Sequence, residues 1–281
     1  MLKRILFLSL FASNSFVYAQ NSDSATVVNA KWQKQKIAAK TKLITHHFNE
    51  KNLFMANQNV AYVEIKRKGK DQHKVIRIDK SPLFLFIPSL IWVPFGRRDI
   101  KDISFRKDTI LAKKGVDFVN AEALKVDVNN QVVTTDKGDY KYDHLVVATG
   151  PKVKYDVAPG VAEHTHYIGT PNGAMKARKA LEEFKKNPGP IVIGATQNAG
   201  CMGAAYEFLF NVEKWLREQK IRKKVDLYWI TPEDYLGHFG IDGMPMGETM
   251  LKSFMSMFNI HYKTQVGVEE VTEDKIKLTN G

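Results

Sequence analysis

Cysteine occurs once in these 281 residues, at Cys201. A single thiol closes no disulfide within the chain, so Cys201 is buried and inert, reactive alone, or lacking its partner. Glycine is scarce at the N-terminal end, where Gly69 is the only one between Met1 and Phe95. That stretch therefore holds no glycine-rich turn able to bring backbone N–H groups close to a phosphate. Uninterrupted apolar runs of membrane-spanning length are missing too. ILFLSLFA (5–12) is too short, and SPLFLFIPSLIWVPF (81–95) is broken by Pro82, Pro88 and Pro94. The second stretch reads as a loop packed over apolar surface, with a membrane-touching hairpin as the weaker alternative. No zinc-finger, helix-turn-helix or RNA-binding signature accompanies the net charge of +12. The lysines are scattered, and their densest run, Lys66-Arg67-Lys68-Gly69-Lys70, is short. A solvated basic face is expected, with no nucleic-acid partner and no metal site.

What is present belongs to a globular protein: 44% hydrophobic and 26% charged residues, enough chain for one large or two modest domains. Lys3 and Arg4, the apolar segment 5–12 and Val17-Tyr18-Ala19 form the pattern of an export signal over residues 1–19. Residues 20–72 are polar, lysine-rich and poorly periodic, with a weak helical pattern over 30–48. From His73 short strand patterns follow: HKVIRID (73–79), GVDFV (115–119), ALKVDV (123–128), QVVTTD (131–136) and DYKYDHLVVATG (139–150). The apolar run of HLVVATG predicts a strand buried on both faces. Past a Pro/Gly linker at 151–160 the texture alternates. Helices are expected at 174–187, with Ala174, Ala177, Leu181 and Phe184 on one face, and at 201–219, with Ala205, Leu209, Val212 and Leu216. A further helix is expected at 248–260, and strands at 190–194 and 224–233. Alternation of this kind implies a parallel sheet and a dinucleotide-type α/β domain.

The turn GATQNAGCMG (194–203) joins a strand to a helix. Its glycines, Gly194, Gly200 and Gly203, do not have the Gly-x-Gly-x-x-Gly spacing, and Thr196 takes the second glycine's place. The turn is a poor pyrophosphate cradle, but it puts Cys201 at a helix N-terminus, where the dipole favours a thiolate. On spacing alone, a reactive thiol and a small buried cysteine are equally good readings.

"PIVIGATQNAGCMGAAYEF" (190–208), "TPEDYLGHFGIDG" (231–243) and "YDHLVVATGPKV" (142–153) together resemble sulfide:quinone oxidoreductases, two-dinucleotide-fold flavoproteins allied to the disulfide reductases. The likeness runs from about His73 to the end. It implies two Rossmann-like α/β domains, the first incomplete and the second cut short at the C-terminus. The expected layout is a signal peptide (1–19), a divergent region (20–72), a partial FAD-type domain (73–158) and a second dinucleotide-type domain (159–281). It further implies that sulfide is oxidised at a cysteine beside FAD and that electrons pass to a membrane quinone. Cys201 then matches a redox cysteine, and Glu207 and His238 match the groups able to move protons. Asp79 matches the acid beside the adenosine ribose, Ile87 and Pro88 line the flavin, and Thr149 and Gly150 form the strand end that meets it. With the signal pattern, the chain is expected to be exported, periplasmic or membrane-peripheral.

Three departures stand out. The FAD glycine loop expected about 25 residues before 73–79 has no counterpart. The family's auxiliary cysteine and a nearby histidine correspond to Gly169 and Gly173. The chain stops at Gly281, in a region expected to lead into further strands, the partner cysteine and the quinone pocket. The readings are therefore an impaired oxidoreductase, a non-catalytic relative acting at most as a sulfur-binding module, and an NADH:quinone or flavocytochrome-type relative. Thr196 and Cys201 in the turn count against NADH.

Overall fold

A computed structural model describes residues 6–9, 74–149, 153–199 and 202–279; the expectation of a helix over 30–48 lies outside these residues. The chain divides into two compact units. Of the described residues, one unit holds 6–9, 86–103 and 153–279, and the other holds 74–85 and 104–149.

In the first unit the apolar runs become the middle of a parallel sheet. Ile191–Gly194 pairs in parallel with Leu227–Ile230, which pairs with Ile260–Lys263. Ile191, Ile193, Leu227 and Trp229 are fully buried, because helices cover this sheet as parallel sheets require. The helix Pro171–Phe184 starts as its sequence dictates: Pro171 stands in the first turn, and the Thr170 hydroxyl accepts the Gly173 N–H at 3.1 Å. It buries the stripe Ala174, Ala177, Leu181 and Phe184. The helix Gly203–Glu218 buries Ala205, Leu209, Val212 and Leu216, and also Tyr206, Phe208 and Trp215. Its buried face is wide because the segment Phe86–Ile103 lies on it. The Phe95 ring sits 5.4 Å from Phe208 and 6.4 Å from Trp215. Arg97 covers Trp92 and Phe95, donating to Asn211 Oδ1 and to both Glu218 carboxylate oxygens. Arg178 donates to the carbonyls of Val93 and Arg98 and to Asp99. The three-proline stretch is thus a short strand, Leu83–Leu85, and a 3-10 helix, Ile87–Trp92, whose Leu90 and Ile91 are buried.

The free edge of Ile191–Gly194 is occupied by the chain's own beginning. Leu6–Ser9 pairs with it in parallel, Leu6 opposite Ile191, and pairs on its other side with Thr165–Tyr167. The apolar segment that reads as the core of an export signal is here the fourth of five strands, counting from Ile260–Lys263. Val268–Val271 and Ile276–Leu278 form a separate antiparallel pair.

The second unit is built of small pieces. Val75–Ile78 runs parallel to Val116–Val119, with the helix Lys107–Lys113 leading into the latter. Leu83–Leu85 pairs antiparallel with Ser104–Arg106, and Ala123–Asp127, Val132–Thr135 and Gly138–Lys141 form a meander. One expectation is corrected. Residues 145–149 form no strand, and Val146 and Val147 are exposed rather than buried. A buried strand needs ladder partners, and among the described residues this segment joins none of the sheets.

Candidate active site

The loop after the strand Leu227–Ile230 lies at the carboxyl end of a parallel sheet, where α/β proteins place ligands. It is tightly curled. Gly237, Gly240 and Gly243 have positive φ, and so do Phe239 (55°), Asp242 (60°) and Met246 (61°). For each non-glycine residue that conformation costs about 1–2 kcal/mol, so something must over-determine it. At Gly237 the positive φ disfavours a side chain, and Leu251 Cδ1, 2.8 Å from an added Cβ, would have to shift.

Buried polar groups supply that determination. Glu233 is 6% exposed and Tyr206 3%, and Thr231 is fully buried. Glu233 Oε2 accepts from Tyr206 Oη (2.8 Å) and Thr231 Oγ1 (2.8 Å), and Oε1 accepts the Phe239 N–H (2.7 Å). Tyr206 Oη in turn accepts the Gly237 N–H at 3.1 Å. Burial, and then the neighbouring Glu233 carboxylate, push the Tyr206 phenol far above its ordinary pKa, so it remains an O–H donor. Tyr206 also lies 4.3 Å from Trp229, on the central strand. Sequence reading missed Thr231, Tyr206 and Glu233. The one signal was a Thr-Pro-Glu run at the end of a buried strand.

His238 stands between the two held N–H groups. Its Nδ1 accepts the Gly240 N–H at 3.2 Å, and its Nε2 lies 3.3 Å from Asp242 Oδ1. Nδ1 is therefore the unprotonated nitrogen and Nε2 carries the hydrogen. Glu207 is an exposed residue of the helix Gly203–Glu218, and partial burial of its carboxyl raises its pKa above the ordinary value. The Tyr206–Gly237 hydrogen bond joins the residue before Glu207 to the residue before His238, which draws these two sequence candidates toward one end of the helix. Cys201 and Gly150 lie outside the described residues. Ile87 is half-buried and Pro88 exposed in the 3-10 helix, which packs against Gly203–Glu218, and Thr149 is exposed.

Asp79 is placed differently from an open ribose acceptor. It is 2% exposed, at the end of Val75–Ile78. Its Oδ2 accepts from Arg77 Nη2 (3.1 Å) and Lys107 Nζ, and its Oδ1 accepts the Ser81 N–H (2.9 Å). Burial lowers the Lys107 pKa against the opposing pull of Asp79.

The turn before Cys201 is also occupied. Gln197 donates to the carbonyls of Val157 and Val268 and accepts the Val268 N–H at 2.9 Å. Asn198, not a glycine, adopts φ 63°. The side-chain space at Gly169 and Gly173 is taken as well. A Cβ at Gly169 would meet Tyr167 Oη at 2.2 Å, and one at Gly173 would meet the Tyr167 carbonyl oxygen at 1.7 Å.

A family model described as pyridine nucleotide-disulphide oxidoreductase matches residues 22–281. The chain belongs to that family. Within the family it is sulfide:quinone oxidoreductase-like. It is 36% identical over 204 residues to the sulfide-quinone reductase of Aquifex aeolicus, covering 72% of this chain and 47% of that protein. It is 27% identical over 210 residues to the mitochondrial sulfide:quinone oxidoreductase of Dictyostelium discoideum, covering 73% and 45%. The crystal structure of the Aquifex aeolicus sulfide:quinone oxidoreductase superposes with a TM-score of 0.71 at 36% identity, covering 74% of this chain and 49% of that one. The chain thus spans about half the length of the curated relatives it matches.

This is a flavoprotein family, and FAD is the cofactor to which the resemblance points. As placed, Asp79 is not an open ribose acceptor, because its carboxylate is buried and three donors, two of them buried cations, already engage its two oxygens. At Gly169 and Gly173 the Tyr167 ring and backbone fill the space that a side chain would take.

Proposed function

We propose that this chain is a sulfide:quinone oxidoreductase-type protein in which Cys201 takes up sulfur, Glu207 exchanges the accompanying proton, and the hold on FAD is weakened. Sulfide and a quinone are its substrates by likeness to the relatives. The observation that carries the reading is the Tyr206–Gly237 hydrogen bond. It ties the helix that Cys201 precedes and that bears Glu207 to the loop that bears His238. A helix N-terminus favours the thiolate, which is the form that bonds sulfur. The raised Glu207 pKa keeps a proton available nearer to neutrality than an ordinary glutamate does. His238 offers an Nε2–H donor. To act as a base at Nδ1 it would have to give up the Gly240 N–H.

Alkylation of the purified chain tests the role of Cys201. Cys201→Ala is expected to abolish uptake of thiol reagent and of sulfane sulfur while the melting transition persists. A variant that cannot fold indicates that the cysteine only packs. The internal hydrogen bonds of Asp79 support the second reading, a non-catalytic relative whose Cys201 thiolate accepts sulfane sulfur from a polysulfide, which leaves one sulfur shorter, and does not oxidise sulfide. Sulfide-dependent quinone reduction by the chain with added FAD decides against that second reading, and its absence decides for it.

Export is part of the proposal, supported by Lys3, Arg4, the apolar core and Val17-Tyr18-Ala19. It competes with the use of Leu6–Ser9 as a sheet strand, because one molecule cannot both lose that segment and pair it. Among the described residues no helix is long and apolar enough to cross a membrane. The intact mass of protein recovered from the periplasm distinguishes the two: loss of residues 1–19 supports export, and full-length cytoplasmic protein opposes it.

A further inference from the structure

The peptide N–H groups on either side of His238 converge on one buried carboxylate. The Phe239 N–H reaches Glu233 Oε1 directly, at 2.7 Å. The Gly237 N–H reaches Oε2 through the Tyr206 hydroxyl, in steps of 3.1 and 2.8 Å. Tyr206 can relay in one direction only, since it accepts from an N–H and therefore donates to the carboxylate. Between these two fixed points the backbone adopts positive φ at Gly237 (81°) and Phe239 (55°). This curl swings the Gly240 N–H onto His238 Nδ1 at 3.2 Å. Of the loop's other contacts, Tyr235 Oη donates to the Asp242 carbonyl, the Gly243 and Ile241 N–H groups to the His238 carbonyl, and the His238 N–H to the Tyr235 carbonyl, closing the turn. The Tyr235 ring packs edge-on against the imidazole at 5.2 Å without a hydrogen bond to it.

We infer that Glu233, relayed through Tyr206, is the positioning residue that holds His238 as an Nε2–H donor, the form suited to an anionic sulfur ligand. The inference rests on the proposed grouping of His238 with Cys201 and Glu207. The group that Nε2 faces, Asp242, has a fully exposed side chain, so an arriving hydrosulfide or polysulfide anion can displace its carboxylate without opening the core. Thr231 serves the same carboxylate but touches neither flanking N–H. It therefore separates stabilising the network from positioning the histidine.

The test uses the full chain labelled with ¹⁵N at its 8 histidines, with His238 assigned by the loss of its signals in His238→Asn. In the wild type, the neutral His238 ring is expected to show only the Nε2–H pattern. Tyr206→Phe and Glu233→Gln are expected to convert it to a mixture of tautomers and to speed exchange of the Gly237 amide about tenfold. Thr231→Val is expected to lower the melting temperature and leave the tautomer unchanged. Mixed tautomers in the wild type contradict the inference. So does an unchanged tautomer in folded Tyr206→Phe, or an equal change in Thr231→Val. Should Glu233→Gln fail to fold, Tyr206→Phe decides alone. The readout needs neither flavin nor turnover, so a failure of the proposed chemistry leaves this result standing, and the reverse also holds.

Discussion

Glu207 and Tyr206 are neighbours on one helix with opposite fates. Tyr206 faces the core and feeds a hydrogen-bond chain, and Glu207 stays at the surface with a pKa raised by partial burial. The raised value has a defined sign. The folded chain holds that proton at a higher pH than the unfolded chain, so its contribution is full below the ordinary glutamate range and is lost as pH rises through the folded value. Urea melts from pH 4 to 8 should show stability declining across that window, with the decline reduced in Glu207→Gln. An unchanged slope in the variant removes Glu207 as the group responsible. Of the individual site residues, the sequence pointed to His238 and Glu207 through motif resemblance. It did not point to Glu233, because a glutamate after Thr-Pro at a strand end has the appearance of a solvated acid. Only the fold shows that three donors converge on it.

At the scale of elements, periodicity was informative where helices pack on the parallel sheet. The stripes of 171–184 and 203–218 are buried as the spacing predicts, since each helix meets one continuous apolar sheet face. Periodicity was uninformative where a strand depends on neighbours distant in sequence. Residues 145–149 are apolar enough for a buried strand but form no ladder, whereas Leu6–Ser9 gains two partners that no local pattern foretold. The strand Val75–Ile78 ends in the acid that its pattern anticipated. What the pattern could not show is that Arg77 and Lys107 would enclose that acid. Removing the Asp79 charge leaves two buried cations facing each other, so Asp79→Asn should cost about 3–5 kcal/mol in the absence of any cofactor, read by denaturant unfolding. A change within about 0.5 kcal/mol would show that Arg77 and Lys107 do not depend on the carboxylate.

For the whole molecule, the two units hold different candidate residues. The first retains the turn before Cys201, the helix bearing Glu207 and the His238 loop with its buried support. The second holds Asp79, committed to Arg77 and Lys107, and Gly69 is the only glycine of the sequence before Phe95. Fold class and family were legible because both rest on the alternating segment from 160 onward and on runs such as GHFGIDG. The missing glycine loop was legible too; the commitment of Asp79 was not, because it depends on which side chains answer it in space. The flavin content of the purified full-length chain tests this account most directly. FAD released on denaturation and measured against protein is expected to fall well below one per chain, and added FAD is expected to bind weakly. Stoichiometric FAD carried through purification would contradict it.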